Sequence, residues 1–149
     1  MKLRLYLDTS VFSAYVDERA PERRRETMEF WERLPEFEAA TSEVTRREVG
    51  RVPDAAQRER LLRLVEEVAV HAVTDEMRAL AKRYMEAGIF PTGNRNDALH
   101  VAAAALTRQD VVVSWNFRHL VNRRRRAAIN HLNVSSGLPT IDIVAPPEV

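Results

Sequence analysis

Residues 3–12 read Leu3-Arg4-Leu5-Tyr6-Leu7-Asp8-Thr9-Ser10-Val11-Phe12. Residues 3 to 7 alternate and end apolar, as a strand with both faces covered would. Asp8, Thr9 and Ser10 then offer side-chain oxygens to the free amides of a helix begun by Val11, Phe12, Tyr15 and Val16. A strand running straight into a capped helix is the opening unit of a doubly wound α/β domain. It places Asp8 at the carboxyl end of the strand, where ligands collect in such sheets.

The rest of the chain repeats that alternation. Helical patterns span Pro21 to Leu34, Ser42 to Val49, and a stretch from about Asp54 through Val68, with Gly50 and Pro53 between the last two. Thr74-Asp75 caps a helix carrying Met77, Leu80, Ala81, Tyr84 and Met85 on one face, and Gly88 stops it. The segment opened by Asp97 is apolar almost all round and is expected to be central. Asn122 to Leu132 gives a last helix. Strand candidates are Phe37–Thr41, Val68–Val73, Asp110–Val113 and Thr140–Val144. About five strands alternating with helices predict a mostly parallel sheet covered on both faces. The 149 residues, 45% of them hydrophobic, suffice for one domain spanning residues 1–149.

Composition narrows the chemistry. Cysteine is absent, which excludes disulfides, thiolate zinc sites and cysteine nucleophiles. The 23 basic residues nearly cancel 22 acidic ones, so any basic surface must be local. Only Lys2 and Lys82 of the 23 are lysine, leaving 21 arginines, a bias that suits bidentate contacts to carboxylate or phosphate and equally fits a genome-wide codon preference. No apolar run reaches membrane-spanning length, and no leader-like pattern precedes the first strand, so a cytoplasmic protein without a membrane partner is expected.

Three acids stand beside apolar segments: Asp8, Glu48 in Thr-Arg-Arg-Glu-Val, and Asp97 in Asp-Ala-Leu-His-Val-Ala. Buried charge is expensive unless paired or bound to a cation, so together they point to one site for a hard divalent ion. Each also has a bland explanation. Asp8 can be a helix cap, Thr45-x-x-Glu48 can be a capping box, and Asp97 can be a first-turn acid favoured by the helix dipole with Asn96 as the cap. Thr9, Ser10 and Ser114 are expected to support the ligands through their hydroxyls. Asn116, after the strand at 110–113, can ligate a hard ion or orient a water, or serve as an ordinary turn residue. His100 and His119 have no zinc-like spacing and are expected at the surface or an interface. Arg123, Arg124 and Arg126, within an Arg123–Arg126 run, would project from the polar face of the last helix. They are candidates for phosphate contact, or a solvated face.

Taken together, Leu7-Asp8-Thr9-Ser10, a helical Glu48, Asp97-Ala-Leu-His-Val-Ala and Ser114-Trp-Asn-Phe after a β-branched strand resemble the PIN-domain family, VapC-type toxins in particular. The resemblance covers essentially the whole chain in order. It implies an α/β/α sandwich, a Mg²⁺- or Mn²⁺-dependent ribonuclease, a homodimer, and neutralisation by a small antitoxin. Asp8, Glu48 and Asp97 match the acidic metal-binding positions. Many relatives carry a fourth acid where Asn116 and His119 stand here, and losing that charge weakens the affinity for a second cation. Carboxylates that hold an ion against a phosphate oxygen and acidify a water need no side-chain nucleophile, and without metal their repulsion raises at least one pKa. An arginine from an antitoxin would be drawn among the same carboxylates. The competing expectations are a catalytically degenerate nucleic-acid-binding or interaction module, and a phosphatase using Asp8 as nucleophile. The second lacks its usual acid at position 10, which is Ser10.

Overall fold

The computed structural model describes residues 1–149 and contains five strands: β1 (Arg4–Leu7), β2 (Glu38–Ser42), β3 (Ala69–His71), β4 (Val111–Val113) and β5 (Asp142–Val144). All pair in parallel in the order β3-β2-β1-β4-β5, with Tyr6 opposite Ala40 on one side and Val112 on the other. Seven α-helices alternate with them: α1 (Thr9–Val16), α2 (Pro21–Glu32), α3 (Glu43–Gly50), α4 (Ala55–Val65), α5 (Asp75–Glu86), α6 (Arg95–Leu106) and α7 (Arg123–Ser135).

The sheet separates two apolar cores. Leu5, Leu7, Val111 and Val113 pack with Phe12, Trp31, Val49, Leu61 and Val65 from α1 to α4 on one face. Tyr6, Val112 and Ile143 pack with Leu80, Tyr84, Ala102 and Ile129 from α5 to α7 on the other. Successive strand residues point to opposite faces, and here both faces are dry, so Leu5–Leu7 of β1 and all of β4 are buried and apolar. The three-layer α/β/α arrangement follows.

Helix α6 carries Ala98 and Ala102 to Ala105, all buried. Side chains this small let its backbone approach the sheet and α5 closely, and alanine gives up no rotamer entropy in the helix. Gly88 (φ 72°) and Gly137 (φ 78°) end α5 and α7 in left-handed turns. There Ile89 N donates to Tyr84 O and Leu138 N to Asn133 O, closing paired terminal hydrogen bonds that favour glycine at that position.

Several local expectations shift. The cap of α3 is Ser42, whose Oγ accepts from Val44 N, so the Thr45-Glu48 capping box does not form. Thr45 instead receives a hydrogen bond from Thr41 inside the fold. Asn94 rather than Asn96 precedes α6, because the helix starts two residues earlier than the apolar run suggests. The order of strands has a further consequence. From β1 the chain moves outward to β2 and β3, then returns to the other side of β1 for β4 and β5. The connections diverge between the carboxyl ends of β1 and β4, which is the crevice where open parallel sheets bind ligands.

Candidate active site

Asp8 and Ser114 leave β1 and β4 side by side at that divergence, joined by Asp8 N donating to Val113 O at 3.2 Å. The Asp8 carboxylate is 4% exposed. It accepts from Ser10 N at 3.0 Å, from Ser10 Oγ at 2.5 Å and from Ser114 Oγ at 2.5 Å. Ser10 and Ser114 are held in turn by Trp115 N and Asn116 N. Asp8 therefore caps α1 and is a buried carboxyl as well. Burial drives its pKa above the ordinary carboxylate value, and the charge of Asp97 adds to the rise, against the lowering effects of His100, Ser10 and Ser114. No arginine or lysine forms an ion pair with Asp8 or Asp97.

Glu48, half-buried on the inner side of α3, belongs to a different hydrogen-bond chain. Thr9 Oγ1 donates to its Oε1 at 2.7 Å, and His100 Nε2 donates to the same oxygen at 2.7 Å. His100 Nδ1 lies 2.7 Å from the Tyr6 hydroxyl, which lies 2.7 Å from Ser42 Oγ. Burial alone would raise the Glu48 pKa, but hydrogen bonds and charge from His100, with Thr9 and Asn96, outweigh it and hold it below the usual value. Burial likewise lifts Tyr6 well above the usual phenol range, so it acts here as a hydroxyl.

The expectation of His100 at the surface is therefore corrected: it is 2% exposed. A helix apolar on every side has no solvent face to offer, and position 100 lies one turn after Asp97, on the same side. That spacing was the available signal. Its partners come from β1 and α3, whose approach cannot be read along the chain.

Asp97 sits in the first turn of α6, half-buried, with Asn94 Nδ2 donating to its Oδ2 at 2.9 Å. It opens with Glu48, Arg95 and Asn96 onto a depression of about 350 Å³. Asn116 is engaged in its own turn: its Oδ1, the atom that would ligate a cation, accepts from His119 N at 2.9 Å. Of the arginine run, Arg126 is tied to Asp142 at 2.8 Å, and Arg125 folds inward onto Phe90 and the carbonyls of Ile89 and His119. Arg123 and Arg124 remain exposed. The expected basic face is thus half absorbed, because Arg126 finds a carboxylate and Arg125 finds backbone acceptors.

No three acidic or histidine side chains converge as a ready-made metal cage. The donor chemistry nevertheless fits a hard dication. A buried carboxylate without a cationic partner, raised in pKa by burial and by a second carboxylate, is relieved by a cation with an appetite for oxygen. Asp8 and Asp97 form that pair, while Glu48 is engaged with His100 and Thr9.

A parallel three-layer α/β domain with acids at its strand-order divergence defines a fold class, and the sequence places the chain within it. Residues 5–127 match the family model described as the PIN domain, and the chain belongs to that family. Solved structures sharing the fold include a toxin–antitoxin complex from Klebsiella pneumoniae (15% identity, TM-score 0.59, covering 81% of this chain and 93% of that one). VapC20 of Mycobacterium tuberculosis, a Sarcin-Ricin loop cleaving toxin, aligns at 17% identity and TM-score 0.60 over 77% and 92%. VapBC2 from Rickettsia felis, bound to a DNA fragment of its promoter, aligns at 13% and 0.55 over 95% and 97%. No curated protein matches.

Proposed function

We propose that this chain is a metal-dependent endoribonuclease, the toxin of a toxin–antitoxin pair. The observation that carries the reading is the pair of carboxyls at the sheet's ligand-binding edge, Asp8 buried and Asp97 half-buried, neither in an ion pair with an arginine or lysine. Membership of the PIN family and the fold shared with toxins of such complexes support it.

Asp8 and Asp97 would hold a Mg²⁺ or Mn²⁺ ion, with Glu48 joining if its contacts to His100 and Thr9 yield. Such an ion supplies charge neutralisation at the phosphate and acidifies a water for in-line attack. The chain's own work is orientation. Ser10 and Ser114 fix the two oxygens of Asp8, Asn94 fixes Asp97, and Thr9 with His100 fixes Glu48. No hydroxyl or thiol nucleophile is required. The exposed Arg123 and Arg124 are available to phosphate, whereas Arg126 would have to leave Asp142. Asn116 enters catalysis only if it releases His119.

A second reading, a silent RNA-binding module, is favoured by the engagement of Glu48 with His100 and of Asn116 with its own turn. Cleavage of a labelled single-stranded RNA panel in Mg²⁺, Mn²⁺ and EDTA separates the two. The nuclease reading expects metal-dependent products that disappear in Asp8→Asn and Asp97→Asn while the fold persists. Equal turnover by both variants would end it, and binding without cleavage in any metal would favour the module. The antitoxin is expected to present an arginine to the carboxylates. Its gene product should inhibit cleavage. Dimerisation, expected from the family likeness, is read from the mass in solution, and a cytoplasmic location accords with the absence of any helix long and apolar enough to cross a membrane.

A further inference from the structure

Beside the acidic depression lies a second, smaller cavity of about 180 Å³, lined by Arg47 and Glu48 of α3, Arg51 at its C-cap, Arg78 of α5, and Arg95 and Asn96 of α6. Three of these, Glu48, Arg95 and Asn96, line both cavities, so the two adjoin along a shared wall with Asp97 on its far side. Four guanidinium groups meet one carboxylate there. One oxygen of that carboxylate, Oε1, is engaged by His100 and Thr9, and Glu48 forms no ion pair with any of the four. Among the four, only Arg78 has an ion-pair partner, the fully exposed Asp75 at 2.9 Å. Such an exposed pair is weak and easily exchanged.

The fold gains little from this concentration of charge. Arg47 lies in the last turn of α3 and Arg51 is its C-cap, where the helix dipole favours a cation, but the two stand four residues apart, a spacing at which like charges repel. Arg95 is the first residue of α6 and Arg78 lies in the opening turns of α5, both near the positive ends of helix dipoles, where a cation is disfavoured. All four residues are exposed, so they do not serve the core. In a chain of net charge +1 this is a local excess, not an overall bias. Planar guanidinium groups gathered in a pocket of this size suit the oxygens of a phosphate.

We propose that Arg47, Arg51, Arg78 and Arg95 form a phosphate-binding subsite that holds the RNA strand next to the position cleaved, a reading that rests on the nuclease assignment above. The strand would run from the carboxylates over Asn96 and Arg95 into the arginine pocket. The expected Arg123–Arg126 face is secondary, since half of it is tied down within the fold.

The test is anisotropy of a 5′-labelled single-stranded RNA with the full chain in EDTA, where metal-dependent cleavage cannot intervene, over a series of salt concentrations. Arg51→Ala/Arg95→Ala should weaken binding at least ~10-fold and flatten the log–log salt slope by about 1.4, two contacts at ~0.7 each. Arg47→Ala should give roughly half that flattening, about 0.7 for one contact. Arg63→Ala, on exposed α4, is the control and should change neither, and an unchanged thermal midpoint certifies the fold of each variant. A DNA strand of the same sequence should lose affinity in the same proportion if the pocket reads phosphate, and a loss on DNA alone would overturn its assignment to RNA. Affinity and slope matching Arg63→Ala would overturn the subsite, as would loss of binding to an acidic peptide with RNA binding intact. Failure of the nuclease assignment looks different: the wild type cleaves nothing in any metal while the arginine variants still lose RNA binding.

Discussion

Replacing Asp8 by asparagine should make the metal-free protein more stable at neutral pH, although it is expected to abolish activity. Asp8 is 4% exposed and in no ion pair with an arginine or lysine, and its raised pKa means that burial outweighs the charge of His100 and the hydrogen bonds from Ser10 and Ser114 that favour the anion. Removing the charge ends a desolvation penalty of several kcal/mol, while Ser10 N and Ser10 Oγ keep neutral bonds to the amide oxygen and Ser114 Oγ, now facing the amide nitrogen, must accept instead of donate, each bond weaker by ~1 kcal/mol. A net gain of about 1–2 kcal/mol follows, or roughly 3–6 °C in Tm for a domain of this size. The pH dependence fixes the sign. A carboxyl whose folded pKa is raised favours the fold fully below the unfolded carboxylate pKa, and that contribution is lost as pH rises through the folded pKa. Wild type and Asp8→Asn should therefore converge in acid and separate towards neutrality. Urea unfolding in EDTA from pH 4 to 8 measures the difference, and Mg²⁺ or Mn²⁺ added at pH 7.5 should raise the Tm of the wild type alone. A variant less stable than wild type at pH 7.5, or a difference constant with pH, would refute the reasoning.

His100→Ala should lower cleavage by about 10–100-fold, as loss of a group that orients a ligand does, and destabilise by ~2–4 kcal/mol. Because His100 helps hold the Glu48 pKa low, its removal should let that pKa rise. Stability present above the unfolded carboxylate range would then be lost at a higher pH on acidification, moving the acid unfolding midpoint up, which circular dichroism against pH would read. Arg125→Ala should cost about 1–2 kcal/mol by freeing the carbonyls of Ile89 and His119 and the Phe90 ring. Arg124→Ala, at an exposed position, should stay within ~0.5 kcal/mol, and equal losses in the two would contradict the inward placement of Arg125.

The alternation of apolar strands with capped helices was legible along the chain because it rests on local physics. Leu5-Tyr6-Leu7 and Val111-Val112-Val113 are apolar on both faces, Asp8, Asp54 and Thr74 cap helices as their oxygens allow, and Gly88 stops α5 through its positive φ. Asp8 and Asp97 could be singled out for the same reason, since a carboxylate next to a run with no polar face has little solvent to meet. What those acids do with their neighbours was not legible. Glu48 meets His100 across 52 residues and Asp8 meets Ser114 across 106, distances that only the sheet order β3-β2-β1-β4-β5 closes. Tertiary contacts alone decided that His100 is buried, that Asn116 serves its own turn, that Arg125 faces inward, and that arginines from three helices share one pocket beside the acids. Periodicity and capping depend on residues within a turn or two, so the sequence carries them openly. Charge pairing and pocket composition depend on which helix faces which, and that is settled when the two cores close over the sheet.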